Sequence, residues 1–132
     1  MTYLQQMVAL YVALNAIIMF VLAFRAASFR GKSKIFLGDG DNADMRQRAR
    51  AHANNAEYVP MGLLLLIMVQ WLGGGLWLVH AIGLTLTLGR VLHGYGVSTS
   101  STTNPFRMFG TILTWLSFLV GIVGTLWLAF MT

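Results

Sequence analysis

Four long apolar stretches, separated by polar segments, set the pattern of this chain. The first, Tyr3 to Phe24, is long enough to cross a hydrocarbon core of ~30 Å. No Lys or Arg precedes its apolar part, so it reads as a retained helix rather than a cleaved secretory signal. A polar connection follows from Arg25 to Asn42, with Gly38-Asp39-Gly40-Asp41 as a turn signal. The second helix is predicted over 43–72, with Asn42 as its N-cap. It begins with the polar run Arg46 to Tyr58 and ends in the apolar run Met61–Leu72, so it projects from the membrane at its start. Pro60 lies within it, and a kink is predicted there, because a membrane helix tolerates proline where neighbours satisfy the freed carbonyl. A third helix is predicted over 76–93, then a turn through Gly94, Gly96 and Ser98 to Asn104. The fourth helix is predicted over 106–130, with Pro105 at its first turn. The pattern predicts an all-α integral membrane protein, a four-transmembrane-helix bundle in a single domain of residues 1–132.

Charge sharpens this picture. Arg25, Arg30, Lys32, Lys34, Arg46, Arg48 and Arg50 fall between the first and second apolar stretches, and Arg90 and Arg107 between the third and fourth. Cations retained on one side of a bilayer give this alternation, which predicts cytoplasmic polar loops and both termini outside. Charged residues make up 10% of the chain and hydrophobic ones 57%, against about 25% and 45–50% in soluble domains. The net charge of +5 lacks the basic-aromatic pattern of nucleic-acid binders, and points instead to anionic lipid headgroups or an anionic soluble ligand. With no cysteine, the chain has no disulfide, zinc-thiolate site or catalytic thiol of its own. Any sulfur chemistry must come from a bound small molecule.

The second helix carries the most informative constellation. Arg46, Arg50, Asn54 and Glu57 fall within about 80° of one another on a helical wheel. Polar groups at this depth are costly unless paired or facing a wet cavity. Two readings stay open from geometry alone: an ion-pair network stapling helices, or a pocket for a small zwitterion or anion, with arginine forks on carboxylates and Glu57 on an ammonium group. Arg90 and His93 share a face at the end of the third helix, where a cation is also favoured by the dipole. Arg107 sits in the first turn of the fourth helix, where its charge opposes the dipole. It either snorkels to the headgroups or meets an anion. His80 reads as an interfacial residue near the opposite face, and Trp71, Trp77, Trp115 and Trp127 as interface or packing residues. No phosphate loop, metal-spaced cluster or Ser-His-Asp arrangement is present. Of the four acids, Asp39, Asp41 and Asp44 lie in or beside one loop. That disfavours a two-carboxylate hydrolase, and the lack of a deeper acid than Glu57 weakens an ion transporter.

The segment Arg50-Ala51-His52-Ala53-Asn54-Asn55-Ala56-Glu57-Tyr58-Val59-Pro60 closely resembles the second-helix motif R-A-x-x-N-x-x-E-Y-x-P of the MAPEG family, the membrane-associated proteins of eicosanoid and glutathione metabolism. The further R-x-x-H segment, Arg90 to His93, and the four spans extend the resemblance over essentially the whole chain, most like the small bacterial inner-membrane members. The resemblance implies a homotrimer that binds glutathione at each subunit interface near the cytoplasmic membrane surface. It implies a transferase or peroxidase acting on lipophilic electrophiles or hydroperoxides. Matched by position, Arg50, Asn54, Glu57 and Tyr58 look like glutathione ligands, joined by Arg46 on the same face and by Arg90 and His93. His52 looks like a contact across the subunit boundary, and Arg107 resembles the arginine that stabilises the glutathione thiolate. One departure stands out. Family enzymes often carry a tyrosine four residues after the position of His93, where this chain has Val97. Tyr95 substitutes for it only if the Gly94–Gly96 segment is non-helical. The alternatives are a non-catalytic trimeric binding or scaffold protein that keeps the same polar face, and a small-solute transporter.

Overall fold

Four helices make up the computed structural model of the protein, which describes residues 2–131: α1 (Tyr3–Ser33), α2 (Ala43–Trp71), α3 (Leu76–Thr99) and α4 (Pro105–Phe130). Among the described residues there is no strand. The helix α3 packs most extensively on α4, and α2 touches all three others, while α1 packs on α2 and α3 only. By length and hydropathy α1, α3 and α4 are each able to cross a membrane. The remaining helix is polar over its first half and apolar only from Met61 onward.

Burial runs opposite to that of a water-soluble bundle. On α4 the buried positions are Gly110, Thr114, Ser117, Gly121 and Gly124, all small, while Trp115, Leu119, Ile122 and Leu126 point outward and exposed. Lipid tails are as apolar as leucine, so helices in a bilayer associate through close packing of small residues and interhelical hydrogen bonds rather than by hiding large side chains. Phe20 is 70% exposed and Trp77 86%, an arrangement that only a hydrocarbon surround makes inexpensive. Inside, Val8, Tyr11, Leu66, Val69, Val79 and Ile82 form the main apolar core. A polar strap crosses it: Asn15 donates to the Tyr11 carbonyl and to Thr87 Oγ1, both at 2.9 Å, and Tyr11 Oη bonds His80 Nδ1 at 2.7 Å. His80 is thus tied into the α1–α3 contact rather than left at the interface alone.

Two helices run further than the hydropathy pattern indicates. The first was expected over 3–24 and continues to Ser33, because loss of apolar character marks the membrane boundary and not the end of the helix. Ala26 and Ala27 keep helix propensity high, and Arg30 and Lys32 in the last turn complement the dipole. The stop is set by Lys34, which takes the left-handed conformation at φ 54° and returns its N–H to Arg30 and Gly31. Similarly, α3 was expected over 76–93 and continues to Thr99, through Gly94 and Gly96. Packing overrides glycine's poor propensity there: a Cβ on Gly96 would meet the backbone of Arg107 at 2.9 Å or less, so only glycine lets α3 and α4 approach this closely. Pro60 lies inside α2, which is continuous as a helix across it.

The connections are short and capped. Asn42 accepts from Met45 N at 2.9 Å to start α2. Arg30 Nη1 donates to the carbonyls of Ile35 at 3.1 Å and Gly38 at 2.9 Å, folding the polar loop back on α1. At the other end, Gly73 has φ +84°, a conformation that L side chains rarely adopt. Asn104 accepts from Arg107 N at 2.9 Å while its amide donates to Gly96 O at 2.8 Å, so one side chain caps α4 and ties it to α3.

Candidate functional site

The polar end of the bundle holds a cleft of about 340 Å³, within the roughly 300–1,000 Å³ range of small-molecule sites. Three helices build it. From α2 come Arg46, Gln47, Arg50 and Asn54, from the end of α3 His93 and Val97, and from the first turn of α4 Arg107. The α2 residues meet there because spacings of three and four return to one helix face. Gly89, Gly96 and Gly110 bring α4 so near α3 that Arg107 reaches the same space. No carboxylate lines the cleft.

Below it, Asn54, Tyr58, Arg90, His93 and Thr111 enclose a chamber of about 30 Å³, the size of one water molecule. Arg90 is 1% exposed and makes no ion pair among the described residues. Its Nη2 donates to Asn54 Oδ1 at 3.2 Å and its guanidinium lies 5.5 Å from the Tyr58 ring centroid. Arg90 Nε and His93 Nδ1 are buried without a hydrogen-bond partner. A buried cation without an acid is costly, and unsatisfied polar nitrogens beside a polar chamber mark a place for a hydrogen-bonding partner.

The cations at the rim differ in their partners. Arg46 Nε donates to Asp39 Oδ2 at 2.6 Å, and Arg50 Nη1 lies 3.8 Å from Glu57 Oε1, a loose pair exposed on both sides. Arg107 makes no ion pair among the described residues. The Asp39 carboxyl is held below the usual carboxylate range, first by the Arg46 hydrogen bond and then by the Asp41 backbone N–H, while Arg46 is raised. A depressed carboxyl stabilises above its unfolded value and loses that contribution as pH falls through the lowered value. Protection of the 35–42 amides, taken relative to their intrinsic exchange rates, is therefore expected to stay constant near neutrality and to fall only below about pH 4. Asp39→Asn should leave the loop weakly protected, with a protection that acid does not change. An unchanged acid profile in that variant would show that another group controls the loop.

The sequence-predicted residues separate into groups. Arg46, Arg50, Asn54, His93 and Arg107 line the cleft, and Tyr58 and Arg90 line the chamber with Asn54 and His93. Glu57 lies outside both and reaches the cleft only through Arg50. His52 is half-buried and lines neither cavity of its own chain. Tyr95 requires a correction. The Gly94–Gly96 segment is helical, Tyr95 is 54% exposed, and its ring packs edge-on against Phe106 at 5.1 Å. The condition for replacing a tyrosine at Val97 is not met. Sequence reasoning missed Gln47, whose amide donates to Val97 O and bridges α2 to α3, and Thr111 in the chamber. The signal for Gln47 was present, since it lies three residues before Arg50 and seven before Asn54 on the same stripe. Thr111 had none, because its place depends on the α3–α4 approach.

The family match spans residues 8–127. This chain belongs to the MAPEG family. It is an integral membrane protein, with the family's four-helix bundle. Among curated relatives it is 29% identical over 119 residues to the inner membrane protein YecN of Escherichia coli strain K12, covering 90% of this chain and 89% of the relative. YecN of Escherichia coli O6:H1 strain CFT073 matches to the same extent.

Proposed function

We propose that this MAPEG protein binds glutathione in the cleft and is a transferase or peroxidase for lipophilic electrophiles or hydroperoxides, working as a homotrimer in a bacterial inner membrane. The observation that carries this reading is the cationic lining: Arg46, Arg50 and Arg107 around a cleft without carboxylates, above the buried and unpaired Arg90. Glutathione presents two carboxylates, an ammonium group and a thiol, and the donor set matches that pattern. The guanidinium groups suit carboxylates. The loosely paired Glu57 suits the ammonium, and Arg90 Nε and His93 Nδ1 lack hydrogen-bond partners of their own.

When bound, glutathione supplies a nucleophilic thiol. The chain's part is to orient it and to favour its ionised form. A free thiol has a pKa of about 8.5, and one nearby cation lowers such a value by roughly 1–3. Arg107 suits that task because it has no competing carboxylate and is fixed by the Asn104 cap in the first turn of α4. The exposed apolar faces of the bundle give a membrane-dissolved substrate an approach that avoids water.

The test is calorimetry with glutathione on detergent-purified protein, followed by turnover with a generic chloronitroarene. Saturable binding with turnover supports the proposal, and the absence of binding overturns it. One observation favours a second reading, binding without chemistry: Val97 places an apolar side chain in the cleft where related enzymes often carry a tyrosine. Saturable binding without turnover of either an electrophile or a hydroperoxide would select that reading. Glu57→Gln is expected to weaken glutathione binding roughly tenfold. Equal affinity would remove Glu57 from the ligand set.

A further inference from the structure

A second cationic pocket lies away from the cleft, between the end of α1 and the start of α2. It has a volume of about 200 Å³ and is lined by Phe24, Arg25, Ser28, Phe29, Lys32 and Arg48. Three of its six lining residues are cations and none is an acid. None of the three makes an ion pair among the described residues. The Arg48 guanidinium lies over the Phe29 ring at 4.6 Å, which holds it in place. Its Nε is buried without a hydrogen-bond partner. Among the described residues no acid of the loop or of the neighbouring helices lies within ion-pair distance of these three cations.

We propose that this pocket binds the phosphate ester of an anionic membrane lipid. The approach to the pocket favours a lipid over a soluble phosphate. Phe20 and Phe24 are stacked at 6.3 Å along α1, both highly exposed, and lie on the stripe that continues through Ser28 to Lys32. That stripe passes from a fully apolar helix face to a cationic pocket within about 12 Å from Phe24 to Lys32. An amphiphile lying on it places acyl chain along the two rings and its phosphate among Arg25, Lys32 and Arg48. Each of these cations then contributes as juxtamembrane basic residues do. Ser28 adds a hydroxyl donor to the same wall. The pocket shares no lining residue with the cleft of its own chain.

Native mass spectrometry of the full-length protein in uncharged detergent tests the proposal, with phosphatidylglycerol, phosphatidylcholine and glycerol phosphate as probes. The expected result is selective retention of phosphatidylglycerol, reduced roughly fivefold by Lys32→Gln. Arg48→Gln should lose it similarly and Arg48→Lys should recover part of it. Lys34→Gln, an equal loss of charge outside the pocket, should retain it. Lys32 is exposed and makes no ion pair among the described residues, so its variant reports on the lipid even if Arg48→Gln does not fold. Equal retention of phosphatidylcholine would overturn the proposal, as would equal loss in Lys34→Gln. Glycerol phosphate competing at the lipid's own concentration would replace the lipid by a soluble phosphate and overturn it too.

Discussion

Leucine in place of Gly110 is expected to leave no folded protein in a detergent extract. A Cβ at this position would meet Gly89 O and His93 Cα, both at 2.8 Å, and lie closer still to His93 N. All three are backbone atoms, so no change of rotamer relieves the overlap. Overpacking a core against movable side chains costs typically about 1–3 kcal/mol. Here the helices themselves must separate, against a total stability of only about 5–15 kcal/mol for ordinary domains. The α3–α4 contact, the most extensive in the bundle, would be lost along its upper half. Gly110→Ala should already lower the melting temperature. Gly31→Ala meets nothing within 4 Å, and should leave the melting temperature unchanged or raise it slightly, because alanine is the better helix former by ~1 kcal/mol. A Gly110→Leu protein that melts with the parent would mean that α3 and α4 do not cross as described.

Arg107→Ala should act on chemistry and not on folding. Among the described residues its side chain makes no ion pair or hydrogen bond, and the Asn104 cap uses its backbone N–H, so truncation leaves that cap intact. Loss of one preorganised electrostatic stabiliser costs typically about 10²–10³ in turnover. On the proposed mechanism, turnover with the electrophile should fall by that order while glutathione affinity changes by no more than a few-fold. The bound thiol should also titrate at higher pH, followed by its ultraviolet thiolate absorbance. Arg107→Lys, with charge but no planar fork, should recover part of the rate. An unchanged thiolate titration in Arg107→Ala would remove this residue from the mechanism.

The four helices were legible because a bilayer imposes a length and a composition on whatever crosses it, and both are visible in sequence. The α2 stripe was legible for a related reason, since 46, 50 and 54 recur at helical spacing and need no knowledge of a neighbour. What escaped depended on approach between helices. Gly94 and Gly96 read as turn residues, yet both are helical, and at Gly96 the Arg107 backbone lies too near for a Cβ. That difference moved Tyr95 out to Phe106 and brought Val97 into the cleft. The burial of Arg90 was equally invisible, because a cation near a helix end reads as exposed unless the packing around it is known.

The double use of Asn104 has a practical consequence. With its carbonyl oxygen on one helix and its amide on the other, the spatial relation of Arg107 to His93 is set at the base of the hairpin and not by the four residues before it. Ser100 and Ser101 line the cleft, whereas Thr102 and Thr103 do not, so a peptide tag or reporter inserted between those two threonines should leave the helix ends that frame the cavity in place.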